Sequence, residues 1–249
     1  MNISKVHREY NVGRFTRHDG TIRFFNFVHA LIDQVDNTAK VLDFGAGCGS
    51  FDTVGTSMYR RKMQDLRTTG AEVWAADVDR VVEKHPCSNH QVVLDEGAPL
   101  PFDDETFDMV VSDFTFEHII DPETTAHELL RVLKPNGWIC ARTPSKWGYV
   151  AIASRMIPNS LHARMLRLIQ PNRPVDDIFP TVYRLNTPKD IRRYFSKCEV
   201  SWYHHSADPS YYFGSGFMYR SLLLLHRLLP PRLSSSVCFF IQKSSSTSV

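Results

Sequence analysis

The sequence has none of the long apolar segments that cross a membrane. Its longest apolar run, residues 221–229, is far shorter than the roughly 18 residues that span a bilayer, and it contains His226 and Arg227. The polar start of the sequence, MNISKVHREYNVGRF, lacks the apolar core of a secretory signal peptide. These absences predict a cytoplasmic protein.

Paired cysteines and a strong charge bias are also absent. The five cysteines are an odd number and include no Cys-x-x-Cys pair, which predicts reduced thiols and no metal site. Lys and Arg number 29 against 27 Asp and Glu, so the net charge of +2 argues against a nucleic-acid partner. With 43% hydrophobic residues, the 249-residue chain has the composition of one globular domain.

Residues 20–142 alternate between helix and strand patterns. A helix is predicted at 20–36, and a weaker one at 50–69 ends at Gly70. The best-marked helix starts at Asp121, which can cap it, and ends at the turn 135–137. Apolar strands between helices indicate a parallel sheet that is covered on both faces. Strands are predicted at 40–44, 71–77, 90–94, 107–112, 138–142, 199–205 and 237–242.

The segment VLDFGAGCGS, residues 41–50, joins the first strand to a helix through a glycine-rich loop. Glycines in such a loop allow positive φ and let a ligand approach the backbone. A dinucleotide fingerprint, Gly-x-Gly-x-x-Gly, would require glycine at position 50, where Ser50 stands. Asp43 and Asp52 flank the loop and disfavour a pyrophosphate. An uncharged or cationic ligand therefore suits this loop better than a nicotinamide dinucleotide, although a purely structural turn is the alternative.

Acidic residues follow each of the next strands. Asp77 ends the second strand, and a carboxylate there can accept both hydroxyls of a ribose. Asp95-Glu96-Gly97 follows the third strand, and Asp113-Phe114 ends the fourth. The alternative is that these are ordinary turn residues, since aspartate is common at strand ends.

Together these motifs resemble the class I S-adenosylmethionine-dependent methyltransferases. VLDFGAGCG matches their first motif and AADVD their second, while LPFDDETFDMVVSDFTFEHI and DPETTAHELLRVLKPNGW match the later region of the small-molecule, methyltransferase-11-like branch. The resemblance covers residues 40–143 and implies a Rossmann-like, mostly parallel seven-stranded α/β sheet with helices on both faces. Residues 143–186 are similar to a bacterial subgroup associated with surface polysaccharides, which implies a glycan-type acceptor.

The patterns along the chain predict a domain layout, and the resemblance implies a cofactor site. The cofactor is S-adenosylmethionine, and S-adenosylhomocysteine is the product. The layout is a single domain made of an N-terminal helical segment 1–39, a cofactor-binding core 40–143, a helical cap insert 144–186, C-terminal strands and helices 187–243, and a flexible tail 244–249. The implied cofactor contacts are Asp43, Gly45, Ala46, Gly47, Gly49, Asp77, Val78, Asp95 or Glu96, Gly97, Asp113 and Phe114.

Catalytic residues are less clearly marked than cofactor contacts. Transfer to a hydroxyl or amine would benefit from a general base, for which His118 and Asp113 are candidates, together with Glu117, which solvent could equally surround. From the insert, Tyr183 and Arg184 could line the acceptor pocket, and Tyr10 and Arg14 could fold over the cofactor.

Two competing functions remain beside methyl transfer. The first is a non-catalytic S-adenosylmethionine-binding module. The second is a nicotinamide-dependent oxidoreductase, which is disfavoured because Ser50 stands where the dinucleotide fingerprint needs a glycine. A nucleic-acid methyltransferase is disfavoured because SDFTF stands where an Asn-Pro-Pro-Tyr type motif would be.

The leucine-rich helix predicted at 217–229 has two interpretations. Phe217, Leu224, Leu225 and Leu228 could pack inward as a lid, which is the favoured expectation. Alternatively, these residues with Arg220, Arg227 and Arg232 could make a peripheral membrane contact through residues 217–232 at the inner face of a membrane.

Overall fold

The computed structural model of the chain describes residues 3–49, 57–148, 151–152, 181–209, 212 and 214–245. Most of the expected helical cap insert, 144–186, lies outside these ranges. Within them, the strands are β1 (Lys40–Phe44), β2 (Glu72–Asp77), β3 (His90–Val93), β4 (Phe107–Asp113), β5 (Leu133–Pro144), β6 (Cys198–His205) and β7 (Ser236–Lys243).

These strands form one open sheet in the order β3-β2-β1-β4-β5-β7-β6. All neighbouring pairs from β3 to β5 are parallel, whereas β7 is antiparallel to both β5 and β6. The mostly parallel seven-stranded sheet expected from the sequence is thereby confirmed. Because β1, β2 and β4 run the same way, their carboxyl ends meet at one edge, where open α/β sheets bind ligands.

Helices cover both faces of the sheet, as the apolar strands require. The described helices are α1 (Tyr10–Gly13), α2 (Gly20–Ile32), α3 (Met58–Gln64), α4 (Pro122–Val132), α5 (Pro188–Tyr194) and α6 (Gly216–Leu228). On one face α2 packs in a core with Val41 and Met109. On the other, α4 packs in a core with Leu42 and Val110. Adjacent residues of the central strands therefore enter opposite cores.

Two helix starts form as the sequence indicates. The Asp121 carboxylate accepts the backbone N–H groups of Glu123 and Thr124, and Pro122 occupies the first turn. The Thr187 hydroxyl likewise accepts the N–H of Asp190 at the start of α5. These caps act through neighbours in sequence, which is why the sequence could reveal them.

Several element boundaries differ from the expected ones. The first expected helix ends at Ile32 instead of residue 36. The expected helix 50–69 is described only from Met58, and it breaks at Asp65, whose carboxylate accepts the N–H of Arg67 and starts a short 3-10 turn. β5 begins at Leu133 and includes a register irregularity opposite Phe107–Met109. The break at Asp65 depends on a local polar contact that hydrophobic periodicity does not encode.

The expectation that Phe217 and three leucines of α6 pack inward is wrong. Phe217, Leu224, Leu225 and Leu228 are 80%, 57%, 38% and 72% exposed, respectively. The buried side chain of this helix is Tyr219. Its hydroxyl donates a hydrogen bond to Asp208, at 3.0 Å, and this polar contact fixes which side of the helix faces inward.

None of the helices in the described part of the chain combines the length and apolarity needed to cross a membrane. All five cysteines are free thiols.

Candidate cofactor and methyl-transfer site

The glycine loop after β1 adopts the backbone conformation that its sequence predicts. Gly45, Gly47 and Gly49 have φ values of 74°, 57° and 55°. A Cβ on Gly45 would collide with the Thr115 side chain, and one on Gly49 with the His85 imidazole. A Cβ on Gly47 would meet no atom within 4 Å. The first and third glycines are therefore required by packing, whereas the middle one borders open space.

Hydrogen bonds attach this loop to the end of β2. The N–H groups of Gly45 and Ala46 both donate to the Ala76 carbonyl, at 2.8 and 3.2 Å. The N–H of Gly47 donates to Asp77 Oδ2 at 2.8 Å. Asp77 Oδ1 accepts the N–H of Asp79 at 2.9 Å. The carboxylate expected to hold a ribose is thus placed against the middle glycine of the loop, which borders open space, and each of its oxygens keeps a lone pair for a ligand.

Three carboxylates converge at this edge of the sheet. Burial, followed by the nearby Asp113 and Asp77 carboxylates, raises the pKa of Asp43 to about 7. His85 Nε2 lies 3.9 Å from Asp43 Oδ2, but burial lowers the pKa of His85, so it favours a neutral imidazole. Because Arg142 pairs with Asp113, the net negative charge here comes from Asp77 and from Asp43 when it is ionised. This charge fits a ligand that carries positive charge, as a methyl-donor sulfonium or its amino group does.

Asp43 gives a testable pH dependence. We expect affinity for S-adenosylhomocysteine to rise about tenfold between about pH 6 and pH 8, because ionised Asp43 attracts the ligand's ammonium group. The Asp43→Asn variant should bind more weakly and without this rise. Titration calorimetry across the pH range measures both, and a rise of the same size in the variant would contradict the assignment.

The same carboxylate affects the stability of the ligand-free protein. Its folded-state pKa lies above the ordinary 3.8, so its contribution to stability is fully present below about pH 4 and is lost as pH rises through about 7. Thermal unfolding should therefore find the Asp43→Asn variant more stable than wild type at about pH 8, by about 1–2 kcal/mol.

Asp113 is held in a buried ion pair. Arg142 Nε and Nη2 donate to its two oxygens at 2.6 Å each. Arg142 is only 5% exposed, and its Nη1 also donates to the Thr21 hydroxyl. The guanidinium lies 4.6 Å from the centre of the Phe114 ring. This arrangement ties both Asp113 oxygens to Arg142 and makes Asp113 a fixed wall of the site.

Phe114 itself has an unusual conformation. Its φ of 61° places it in the left-handed region, and it is 43% exposed at the end of β4. A non-glycine residue in this conformation needs support from its surroundings, here the bond from its N–H to the Arg142 carbonyl. This hydrogen bond holds the Phe114 ring partly in solvent at the carboxyl edge of the sheet.

The loop after Phe114 buries a glutamate beside His118. Glu117 is 4% exposed, so the alternative that solvent surrounds it is wrong. It accepts a hydrogen bond from the Thr143 hydroxyl at 2.8 Å, and burial raises its pKa to about 7. His118 Nε2 lies 3.9 Å from Glu117 Oε1, and its side chain is 28% exposed. The two residues place a titratable pair at the same edge as the glycine loop.

Tyr183 and Arg184 lie against this loop. The N–H groups of Val182 and Tyr183 donate to the Glu117 carbonyl at 2.8 and 3.1 Å. Arg184 Nη1 donates to the Ile120 carbonyl. The structure therefore brings both residues from a distant part of the sequence beside the loop that carries His118.

The remaining expected contacts lie on loops around β2 and β3. Val78 is 46% exposed immediately after Asp77. Asp95, Glu96 and Gly97 are exposed, and the N–H of Leu94 donates to the Asp77 carbonyl, which joins their loop to β2. Tyr10 begins α1 and Arg14 follows it, but no described contact links either residue to the glycine loop.

Sequence reasoning missed three residues that shape the site: Arg142, Thr115 and His85. An arginine inside the apolar strand β5 was the one available signal, because a buried charge needs a partner. Thr115 donates to the Gly45 carbonyl at 3.2 Å. No cluster of three metal-ligating side chains occurs in the part of the chain that the structure describes.

Comparison with known proteins identifies related sequences. Residues 42–141 match a family model described as "Methyltransferase domain". An uncharacterized methyltransferase of Schizosaccharomyces pombe is 31% identical over 120 residues, 45% of this chain and 42% of that protein. The 2-methyl-6-phytyl-1,4-hydroquinone methyltransferase of a Synechocystis strain is 33% identical over 118 residues, 45% of this chain and 36% of that protein. The chain thus spans less than half the length of these curated relatives.

Solved structures share the fold at low sequence identity. The YcgJ protein of Bacillus subtilis superposes with a TM-score of 0.53 at 12% identity, covering 90% of this chain and 99% of that one. An S-adenosylmethionine-dependent methyltransferase of Thermotoga maritima gives 0.50 at 13% identity, covering 97% and 96%. The [4+2]-cyclase SpnF gives 0.51 at 14% identity, covering 89% and 81%. A cyclase among these structures shows that the fold does not fix the reaction, so the reaction must be argued from the site.

Proposed function

We propose that this chain is an S-adenosylmethionine-dependent methyltransferase that transfers a methyl group to a hydroxyl-bearing small-molecule acceptor. Residues 42–141 match a family model described as a methyltransferase domain. The observation that carries the proposal is the joined glycine loop and Asp77 carboxylate. Gly47 borders open space, and its N–H is fixed by Asp77 at 2.8 Å. An arrangement of backbone and carboxylate around open space supports binding of a ribose and its attached groups.

The residues present fit the cofactor that the class uses. When bound, S-adenosylmethionine supplies an electrophilic methyl group on a positively charged sulfur. Asp77 would hold the ribose hydroxyls, Asp43 the amino group, and Val78 with the loop at 95–97 the adenine. Asp113 and Phe114 would border the methionine end. Asp77 and ionised Asp43 at this edge favour a positively charged ligand over a pyrophosphate, which argues against a nicotinamide cofactor.

The loop 115–118 supplies the proposed base. A hydroxyl loses its proton as its oxygen attacks the methyl carbon, and we assign that proton to His118. Glu117, whose Oε1 lies 3.9 Å from His118 Nε2, is a positioning residue that favours the protonated imidazole once the transfer has occurred. In the proposed reaction one oxygen–carbon bond would form to the methyl group, one carbon–sulfur bond would break, and one proton would move to His118.

The class of acceptor is supported by relatives and by the surface beside His118. The Synechocystis relative is named for a hydroquinone acceptor, and another relative, from Ectopseudomonas mendocina, is named a ubiquinone/menaquinone C-methyltransferase. The second name specifies methylation at carbon, so these relatives support a hydroquinone-type ring as the acceptor and do not support a choice of the atom that receives the methyl group. The exposed Phe114 ring and the nearby Tyr183 favour a flat ring over a glycan, so we place a phenolic acceptor first.

The test combines binding with product analysis. We expect S-adenosylhomocysteine to bind in titration calorimetry, and methyl transfer from S-adenosylmethionine to appear by mass spectrometry with reduced quinones, simple phenols or hydroxyl-bearing sugars. Transfer to sugars alone would replace the phenolic acceptor by the glycan type. Binding without transfer to any of them would favour a non-catalytic cofactor-binding module.

Asp77 provides the sharpest test of the cofactor site. Asp77→Ala should weaken binding of S-adenosylhomocysteine by about 1.5–3 kcal/mol, the contribution of hydrogen bonds to a charged group. Asp79→Ala is the matched control, because Asp79 instead accepts the N–H of Val81 in a neighbouring turn. Calorimetry should show near wild-type affinity for the control. Equal affinities for both variants would remove Asp77 from the site.

A further inference from the structure

The outward face of α6 is apolar and has no partner within the described part of the chain. Phe217, Leu224 and Leu228 recur at helical spacing, and each is more than half exposed. The opposite side of the helix is already anchored, because Tyr219 is 1% exposed and donates to Asp208. The apolar stripe is therefore not needed to hold α6 on the protein. Thirteen residues give a helix of about 20 Å, long enough to lie along a surface.

The charged side chains of α6 and of the turn that follows it have a single sign. They are Arg220, Arg227 and Arg232, and all three are exposed, while the acidic Asp208 bonds to Tyr219 on the opposite side of the helix. Arg220 and Arg227 lie seven residues apart, so they stand on one side of the helix, next to the stripe. An apolar stripe bordered by arginines matches an anionic lipid surface, whose headgroups attract the arginines while the acyl region accepts the leucines.

The position of α6 links this surface to the candidate site. The short turn Pro231–Leu233 connects α6 to β7, and β7 begins at Ser236, which pairs with Pro144 at the carboxyl end of β5. The Ser145 hydroxyl contacts the Arg232 carbonyl. Trp147, two residues further on, is 55% exposed, and tryptophan is enriched at membrane interfaces. The C-terminal end of α6 is therefore connected to the sheet at its carboxyl edge, where the glycine loop also lies.

We propose that α6 docks on an anionic lipid surface, with Phe217, Leu224 and Leu228 inserted and Arg220, Arg227 and Arg232 against the headgroups. A second copy of the chain is the less favourable occupant, because two such faces would bring arginines of the same sign together. The docking does not depend on methyl transfer and would hold for either acceptor class. It would place the carboxyl edge of the sheet toward molecules held in the bilayer.

Vesicle co-sedimentation tests this proposal with the full-length chain. We expect binding to vesicles of phosphatidylcholine with phosphatidylglycerol, weaker binding to phosphatidylcholine alone, and a decrease when salt is raised. Leu224→Ser combined with Leu228→Ser should reduce the bound fraction at least about tenfold. Arg220→Glu combined with Arg227→Glu should reduce binding to the anionic vesicles by a similar factor.

The matched control is Arg192→Glu combined with Arg193→Glu, which makes the same charge change on exposed positions of α5. This control should keep most of the vesicle binding. Circular dichroism and thermal unfolding show that each variant is folded, independently of cofactor binding. Absence of wild-type binding, or an equal loss in the control, would overturn the proposal. Concentration-dependent dimerisation that the leucine variant abolishes, without vesicle binding, would assign the face to a second copy.

Discussion

The Arg142→Met variant is expected to unfold with a free energy about 3–5 kcal/mol lower than that of wild type. Arg142 is 5% exposed and donates two hydrogen bonds to Asp113 and a third to Thr21. Its removal leaves a carboxylate next to Asp43 and Asp77 without its cation, and an uncompensated buried charge of this kind is costly. Urea unfolding measured near pH 7 gives the difference directly.

Two further variants separate the charge effect from lost packing. Arg142→Met combined with Asp113→Leu removes both charges, and we expect it to recover most of the lost stability because replacing a whole buried pair is often neutral. Arg80→Met is the exposed control, since the Arg80–Glu83 pair lies at the surface and contributes little. A loss below about 1 kcal/mol in Arg142→Met would contradict a stabilising role for the pair.

The His118→Asn variant is expected to lower kcat by about 10²–10⁴-fold, the usual contribution of a general base. Its affinity for S-adenosylhomocysteine should stay within about twofold of wild type, because the proposal gives His118 a role toward the acceptor and none in holding the cofactor. Single-turnover methyl transfer, measured with the acceptor that the product survey identifies, separates this chemical step from cofactor binding. Unchanged kcat would remove His118 from the reaction.

The control for this experiment is His127→Asn on α4. The His127 side chain is 77% exposed and lies outside the loop that carries His118, so kcat should be unchanged. Glu117→Gln tests positioning separately. Because burial raises the pKa of Glu117 to about 7, this substitution should alter the pH profile of kcat in the neutral range, whereas a purely structural role would leave the profile unchanged.

Much of the cofactor site could be predicted from sequence because its constraints are local. The glycines at 45, 47 and 49 were expected to have positive φ, and all three do. The strand ends that carry Asp77 and Asp113 lie at one edge because parallel strands align their carboxyl ends. The order of the motifs along the chain was therefore enough to predict that these residues lie close together.

The proposed catalytic residues could not be predicted in the same way. Glu117 and His118 are adjacent in sequence, yet only the fold buries Glu117, through Thr143 on β5 and the backbone of residues 182–183. Arg142 is paired with Asp113 across neighbouring strands, and the two residues are 29 positions apart in sequence. Burial and ion pairing of these groups depend on strand pairing and on distant segments, which periodicity and spacing do not contain.

Sequence by itself determined the alternation of strands and helices, the glycine bend and the acidic strand ends, because each follows from local periodicity, turn chemistry or short spacing. Only the tertiary structure decided that Asp113 is neutralised by Arg142, that Glu117 is buried, and that the leucines of α6 face outward. Those outcomes depend on which surfaces meet across the sheet, and the free energy of a charged or apolar side chain is set by what surrounds it after folding.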